Sequence, residues 1–294
     1  MKEFTCPVCG ASVGNALLQC KDMSVSNEIF DICLCNSCLF AFTFPQPKPE
    51  NIGKYYNTED YISHTDTRKG IVNKLYHIVR KRNIENKLHI VNSLNTGSKN
   101  LADIGCGTGY FLDKCLKNAW NVEGAEPDGN ARKIAETRIN KAVFSSIDGL
   151  EKSGKKFDVI TLWHVFEHLH DINASLQQLK QLIEPTGRLV LALPNHTSFD
   201  AEHYRAYWAG YDVPRHLSHF SPKSIQLLAE KHQLKLEKII PMKYDAYYIS
   251  MLSEGLKGAG KIKSLYSGLK YGLMSNCKAR KSGNYSSLIY VLKN

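Results

Sequence analysis

Apolar residues in the middle of the chain come in short runs, and each run ends in a turn built from glycine or polar residues. Leu101–Ile104, the stretch "WNVEGAEPD" up to Glu126, Asp158–Leu162 and Arg188–Leu193 read as buried strands. Segments of helical spacing lie between them, one starting near Tyr110 and another, "INASLQQLKQLIEP", capped near Asp171. Strand and helix alternating in this rhythm predict a parallel sheet flanked by helices, with ligands at the carboxyl ends of its strands. From Asn195 to Phe220 the period is lost, over a connection far longer than an ordinary loop. Such a connection is expected to be a lid or a binding element. It ends in "AGYDVPRHLSHFSP", after which Ser221 is placed as N-cap and Pro222 as first residue of a new helix.

Outside this region the patterns change. "NEIFDICLC" alternates as a hairpin strand does, and "FAFTFPQPKPEN" is a proline-punctuated connector. A helix near Thr67–Leu94 carries Val72, Leu75, Val79 and Leu88 on one stripe. "DAYYISMLSEGLK" and "KIKSLYSGLKYGLM" again have helical spacing, with lysines on their other faces, and "SLIYVLKN" reads as a last strand. The organisation expected is a module over 1–45, a connector and helical region over 46–95, and a main domain over 96–294 with a helical insertion at about 244–283.

Composition adds three things. No apolar run of the 294 residues is long enough to span a bilayer, and "MKEFTCPVCG" has no signal-like apolar stretch, so a cytoplasmic protein is expected. The net charge of +10 is concentrated in Arg68–Lys87 and Lys257–Lys281 and suits an anionic partner. Six of nine cysteines fall in the first 38 residues. Among them "CPVC" (Cys6, Cys9) and "CNSC" (Cys35, Cys38) are two knuckles separated by 25 residues, the donor set and spacing of a structural zinc ribbon. Cys20 and Cys33 are alternative ligands, and Leu39 stands where a second knuckle often has glycine. Four thiolates would close such a site to catalysis.

"NLADIGCGTGYFLDKCL" combines a buried strand, a glycine turn and a helix start, which together present backbone N–H groups to an anion. Gly105, Gly107 and Gly109 give GxGxG, one residue short of the dinucleotide fingerprint. Glu126 follows Gly105 by 21 residues, where a carboxylate can accept from ribose hydroxyls.

Taken in order, "LADIGCGTGYF", "VEGAEPD", "FDVITLWHVFEHLHD" and "GRLVLALPN" resemble class I S-adenosylmethionine-dependent methyltransferases, in particular the ubiquinone-biosynthesis and sugar methyltransferase group with an "EHL" segment after strand four. The resemblance covers roughly Asn100–Ile240 and implies an α/β, Rossmann-like, seven-stranded sheet, here preceded by the ribbon. It implies that Asp103, Gly105, Cys106 and Gly107 hold the methionine end of S-adenosylmethionine, that Glu126 binds the ribose, and that Pro127 and Asp128 flank the adenine. Ile147 and Asp148 would meet the adenine, and Trp163 and His164 would close over the methyl group. Bland readings stand beside these: Asp103 bracing the loop, Cys106 a small filler, Trp163 a core residue.

Methyl transfer to a hydroxyl needs in-line positioning and removal of a proton, for which His164, His216 and His219 are the candidate bases. Glu167 and His168 are expected to tie the turn to the sheet, and Asp212 and Arg215 to pin their own loop. The acceptor implied is a small molecule, anionic in one version: a carbohydrate, nucleotide-sugar or lipid-pathway hydroxyl. An RNA acceptor gripped by the ribbon and basic helices is the alternative, as is a non-catalytic cofactor-binding protein. Because Gly255, Gly258 and Gly260 interrupt any long amphipathic face, the tail is expected to cap the acceptor site; a basic helix touching lipid is the competing reading.

Overall fold

A computed structural model describes residues 4–13, 16–56, 71–94 and 97–294, with backbone alone over 71–80. Strands and helices in chain order are β1 (Phe4–Thr5), β2 (Ser12–Val13), β3 (Ala16–Lys21), β4 (Ile29–Leu34), β5 (Ala41–Phe44), α1 (Ile71–Ser93), β6 (Asn100–Ile104), α2 (Tyr110–Leu116), β7 (Asn121–Ala125), α3 (Gly129–Ile139), α4 (Ile147–Lys152) and β8 (Phe157–Trp163). They continue with α5 (Ile172–Leu182), β9 (Ile183–Pro194), α6 (Phe199–Tyr204), β10 (Ser218–His219), α7 (Pro222–Lys231), β11 (Lys235–Pro241), α8 (Asp245–Leu256), α9 (Lys261–Ser282) and β12 (Ser287–Lys293). The chain divides into two compact units, one of 1–62, 166–172 and 192–290, the other of 63–165, 173–191 and 291–294.

The main sheet has six strands in the order β11-β12-β9-β8-β6-β7. β6 is parallel to both neighbours, with Leu101 beside Val122 on one side and Val159 on the other. The place a seventh strand would take is filled by a single parallel bridge, Ala125 to Phe144. β8 is buried along its whole length, as a strand covered on both faces must be, and this explains its continuous apolar sequence. Leu88 of α1 is buried; the side chains of Val72, Leu75 and Val79 lie outside the described residues.

The cysteine module, in the unit that also includes 192–290, is not a free-standing ribbon. Its strands form a four-stranded antiparallel sheet in the order β10-β5-β4-β3, and the outer strand comes from the far end of the chain. Ser218 pairs with Phe42 and His219 with Ala41, so "AGYDVPRHLSHFSP" is stitched to the cysteine module by a ladder. The segment expected to be a lid or a binding element therefore holds short helical turns and a strand. Tyr204, Trp208, Tyr211 and Val213 share one apolar cluster with Cys20, Phe30, Ile32 and Tyr55 of the N-terminal module.

Charge completes the stitch. The guanidinium of Arg215, 6% exposed, donates to Asp212 from Nε at 3.0 Å and from Nη2 at 2.6 Å, and Nη1 donates to the Tyr55 carbonyl at 2.9 Å. Nη1 also lies 3.4 Å from Oδ1 of Asp22, whose carboxylate accepts the N–H groups of Ser24, Val25 and Ser26 at the β3–β4 turn. Asp212 pins its own loop, as the sequence suggests, and Arg215 extends that pin to the N-terminal module. A second buried carboxylate, Asp200, accepts from Trp208 Nε1, Ser275 Oγ and Ser286 Oγ, tying α6, the Trp208 turn and α9 together.

α8 and α9 form an antiparallel hairpin. A Cβ added at Gly268 would meet the Met251 Cα at 2.8 Å, and one at Gly272 would meet the Tyr247 Cα at 2.7 Å, so only glycine permits this approach. The buried residues along α9 are Ser264, Gly268, Gly272, Ser275, Asn276 and Ala279. The glycines at 255, 258 and 260 fall at and beyond the end of α8 and make the turn; they do not interrupt a helix face.

Three histidines in this unit are held neutral by their surroundings. His219 donates from Nε2 to Thr43 Oγ1 at 3.0 Å, because the Thr43 hydroxyl itself donates to the His216 carbonyl at 2.7 Å. His196 donates to the Leu39 carbonyl at 2.8 Å, and His168 donates from Nδ1 to the Arg215 carbonyl at 2.9 Å. Burial pushes all three below the ordinary imidazole value, His168 to about 4 and His219 well down. A depressed folded-state value means that the unfolded chain takes up protons first on acidification. The stability these rings contribute is therefore present above about pH 6.5 and is lost as pH falls toward about 4. Thermal unfolding should show a melting temperature that drops steadily across that window, with uptake of more than one proton on unfolding; a flat profile would mean that these rings titrate freely.

Candidate functional site

The glycine turn after β6 is shaped by three left-handed residues, each for a different reason. A Cβ at Gly105 would strike Val165 Cγ2 at 2.4 Å, and one at Gly109 would press on the Ala135 backbone at 3.0 Å. At Gly107, with φ +53, an added Cβ would meet nothing within 4 Å. The first and third glycines are packing requirements, while the second leaves open space over the turn, as a ligand cradle needs. Arg138 secures the turn from outside: its Nε donates to the Thr108 carbonyl at 2.8 Å and its guanidinium lies 3.5 Å from the Tyr110 ring centre.

Glu126 spans this cradle. Its Oε2 accepts from Gly107 N–H at 2.8 Å and its Oε1 from Asp128 N–H at 2.9 Å. Each oxygen keeps a second lone pair, so a hydroxyl-bearing ligand can still donate to it. Burial raises the Glu126 carboxyl above its ordinary value, against the lowering effect of those two N–H groups. Asp103, also buried, is pushed up to about 7 by burial, opposed by a 2.6 Å hydrogen bond from Thr161 Oγ1 and by the charge of Lys87. Two carboxyls strained toward neutrality beside an open turn make a place where a cationic ligand is favoured.

The remaining expected cofactor residues take varied places. Cys106 turns its sulfur toward Gly124, where an added Cβ would meet it at 3.0 Å, so it packs under the turn as a filler does. Pro127 offers its carbonyl to Arg132, and Asp128 caps α3 by accepting from Ala131 N–H at 2.7 Å. Ile147 opens α4, and Asp148 accepts from Gln178 Nε2 at 2.8 Å. Trp163 ends β8 with the Lys87 ammonium 4.7 Å from its ring centre and with a buried indole N–H that has no hydrogen-bond acceptor among the described residues. His164 follows with φ +58, a strained conformation for a side chain of its size. Sequence reasoning overlooked Thr161, Lys87 and Arg138; Thr161 was detectable as a polar residue in an otherwise apolar strand.

Three residues further along the chain a second constellation begins, within the other unit. Glu167, His168 and His216 place ligand atoms within 4.8 Å of one another, a donor set able to hold a divalent cation or share a proton. His216 donates from Nδ1 to the Gly210 carbonyl at 2.9 Å, which leaves Nε2, 3.9 Å from Glu167 Oε1, as the ring's free lone pair. Tyr56 adds its hydroxyl 3.0 Å from His168 Nδ1. His219, two strand positions beyond Leu217, instead turns its Nε2 to Thr43.

The cysteine cluster is a third site. Cys6, Cys9, Cys35 and Cys38 bring their sulfurs within 4.8 Å of one another, with Cys6–Cys38 and Cys9–Cys35 at 3.5 Å. Gly10 N–H bonds the Cys6 carbonyl and Leu39 N–H the Cys35 carbonyl, so the two knuckles have the same backbone form. Leu39 takes φ +59 where Gly10 takes +76, so leucine is forced into the conformation that glycine adopts freely. The tetrahedral sulfur set fits zinc, with Cys20 and Cys33 outside it.

Comparison with known proteins agrees with this geometry. A ubiquinone biosynthesis O-methyltransferase of Rhizobium johnstonii is 30% identical over 102 residues, covering 32% of this chain and 41% of that protein. Another of the same description, from Coxiella burnetii, is 25% identical over 129 residues, 42% of this chain and 55% of that protein. The chain thus spans about half the length of the curated relatives it matches. Among solved structures, a magnesium protoporphyrin IX methyltransferase from Synechocystis PCC 6803 with bound SAH superposes with a TM-score of 0.53 at 13% identity, covering 82% of this chain and 97% of that one. A mycolic acid cyclopropane synthase complexed with SAH and CTAB gives 0.51 at 17% identity, covering 71% and 83%. These likenesses show the shared fold. The sequence profile of a family described as "Methyltransferase domain" matches residues 76–239, more than half of the chain, and the protein belongs to that family.

Proposed function

We propose that this protein transfers the methyl group of S-adenosylmethionine to a hydroxyl of a small acceptor. The observation that carries the reading is Glu126, held by Gly107 and Asp128 N–H groups with lone pairs left for a ribose. The open space at Gly107, the acceptor-less indole N–H of Trp163 and the two raised carboxyls, Asp103 and Glu126, fit a ligand that is polar and positively charged. When bound, the cofactor supplies a sulfonium methyl that needs no further activation. Asp103 would meet the amino group of its methionine end, and Trp163 and His164 would cover the methyl. The relatives named as O-methyltransferases of ubiquinone biosynthesis favour oxygen as the receiving atom and, of the acceptor classes considered, a lipid-pathway hydroxyl. The RNA alternative would rest on the cysteine module and the basic helices as its grip.

A hydroxyl acceptor must lose its proton, and of the expected bases His164, His216 and His219 the ring whose nitrogens are arranged to take one is His216. Its Nδ1 proton is fixed on the Gly210 carbonyl, so Nε2 is the basic atom, and Glu167 stands close enough to stabilise the imidazolium that forms. His219, buried and turned to Thr43, is a positioning residue in this scheme. Zinc in the Cys6, Cys9, Cys35 and Cys38 cluster is structural, holding the strands on which β10 pairs.

Titration calorimetry with S-adenosylhomocysteine should show binding that Glu126→Ala abolishes; unchanged affinity would sink the cofactor assignment. With a methyl-labelled donor and a panel of hydroxyl compounds, His216→Ala should lower kcat about 100-fold or more while cofactor affinity holds. Full turnover in that variant would remove the base and leave the cofactor reading standing. Metal analysis should find about one zinc per chain, lost in Cys35→Ser.

A further inference from the structure

The hairpin of α8 and α9 is built inside out for a globular protein. Along α9 the buried line is made of small residues with Asn276, whereas large apolar side chains point to solvent: Ile262 is 88% exposed, and Leu265, Leu269 and Leu273 are each more than half exposed. On α8, Tyr248 is 51% and Leu252 40% exposed. The contact line fixes where these residues lie. Tyr247 and Met251 face Gly272 and Gly268, and the exposed residues Tyr248, Leu252, Leu269 and Leu273 are each one position further along their helices. One residue rotates a side chain by about 100° about its helix axis. Because the helices are antiparallel, that step carries both sets to the same side of the hairpin. The two stripes therefore make one apolar face.

The charge beside this face selects its partner. Between Lys257 and Lys281 there are seven basic residues and no acidic one. Lys263, Lys270 and Lys281 project about a quarter turn from the Ile262–Leu269–Leu273 stripe, along its flank. Two copies pairing through this face would bring like-charged flanks together, which opposes self-association. An anionic bilayer satisfies both features at once, taking the apolar stripe at the level of the acyl boundary and the lysines among the headgroups. No helix among the described residues is long and apolar enough to cross a membrane, so the hairpin would lie along the surface.

We infer that the α8–α9 hairpin is a docking surface for an anionic lipid bilayer. The inference does not depend on the methyl-transfer reading. Full-length protein should sediment with phosphatidylcholine vesicles containing phosphatidylglycerol, bind vesicles of phosphatidylcholine alone much more weakly, and come off as salt is raised. The double variant Leu269→Glu, Leu273→Glu changes exposed positions only. It should bind the anionic vesicles at least about tenfold more weakly while its melting temperature and its elution volume on gel filtration stay unchanged. Absence of binding to anionic vesicles, or equal binding by the variant, would overturn the assignment. A dimer in sedimentation velocity that the same variant dissociates would also overturn it, since a second copy would then be what covers the face.

Discussion

The joining of the cysteine module to the 209–222 stretch hangs on one buried cation. Arg215 has two carboxylates and a carbonyl around a guanidinium that is almost wholly out of water. Removing one partner from such a group costs about 3–5 kcal/mol, because an unpaired charge is left behind. The network fixes more than energy. Asp212 sits in the left-handed region with φ +35, and the pairing to Arg215 holds it there, so the turn that presents His216 is set by the same contact. Burial alone would raise the Asp212 carboxyl, yet the hydrogen bond from Arg215 and the nearby charges keep it below its ordinary value, and the pair stays ionised. Asp22, at the opposite end of the sequence, orders the β3–β4 turn with the same carboxylate that meets the guanidinium. The cysteine module and the 209–222 stretch are therefore one folding problem.

That coupling is what the sequence conceals. Local signals carried the sheet: buried runs at 101–104 and 158–162, the GxGxG turn, and the Ser221–Pro222 helix start all stand where spacing places them. Each depends on residues a few positions apart, whose conformational preferences act through neighbours. The pairing of Ser218 with Phe42 joins residues 176 positions apart, and two-residue strands carry too little alternation to announce a partner. The loss of period from 195 to 220 predicts a lid or a binding element, because irregular segments of that length usually are one or the other. Here the aromatic residues of the stretch bury themselves against the cysteine module, and irregular backbone is kept in place by side-chain packing.

The site was legible to the same depth. Glu126 and the glycines follow from spacing, since a close-approach turn at a strand end and a carboxylate for ribose hydroxyls stand at set distances in such a fold. The rest of the cradle was not legible. Thr161 matters only because β8 lies beside β6 in register, which brings its hydroxyl to Asp103. The sequence named His164, His216 and His219 together as bases without separating them, since histidines differ by what their ring nitrogens meet. One carbonyl, from Gly210, makes His216 Nε2 the basic atom, and one hydroxyl, from Thr43, occupies His219 Nε2.

The C-terminal hairpin obeys the packing rules in reverse, and that reversal has a physical reading. Helices in a water-soluble core meet through their large apolar residues, because removing those from water drives the contact. Here the contact line is Gly268 and Gly272 against the Met251 and Tyr247 backbones, which brings the helix axes close and removes little apolar side-chain surface from water. Close approach through small residues is the solution that helices adopt where the surrounding medium does not penalise exposed leucine. Ser253 reinforces it by donating to the Ile249 carbonyl and accepting from Ala209 N–H, and so anchors the hairpin to the 3₁₀ turn at Ala209–Tyr211. The hairpin is thus rigid on the side that faces the protein and apolar on the side that does not. A face left bare by folding, with lysines along its rim, is suited to a partner with an apolar interior and an anionic surface.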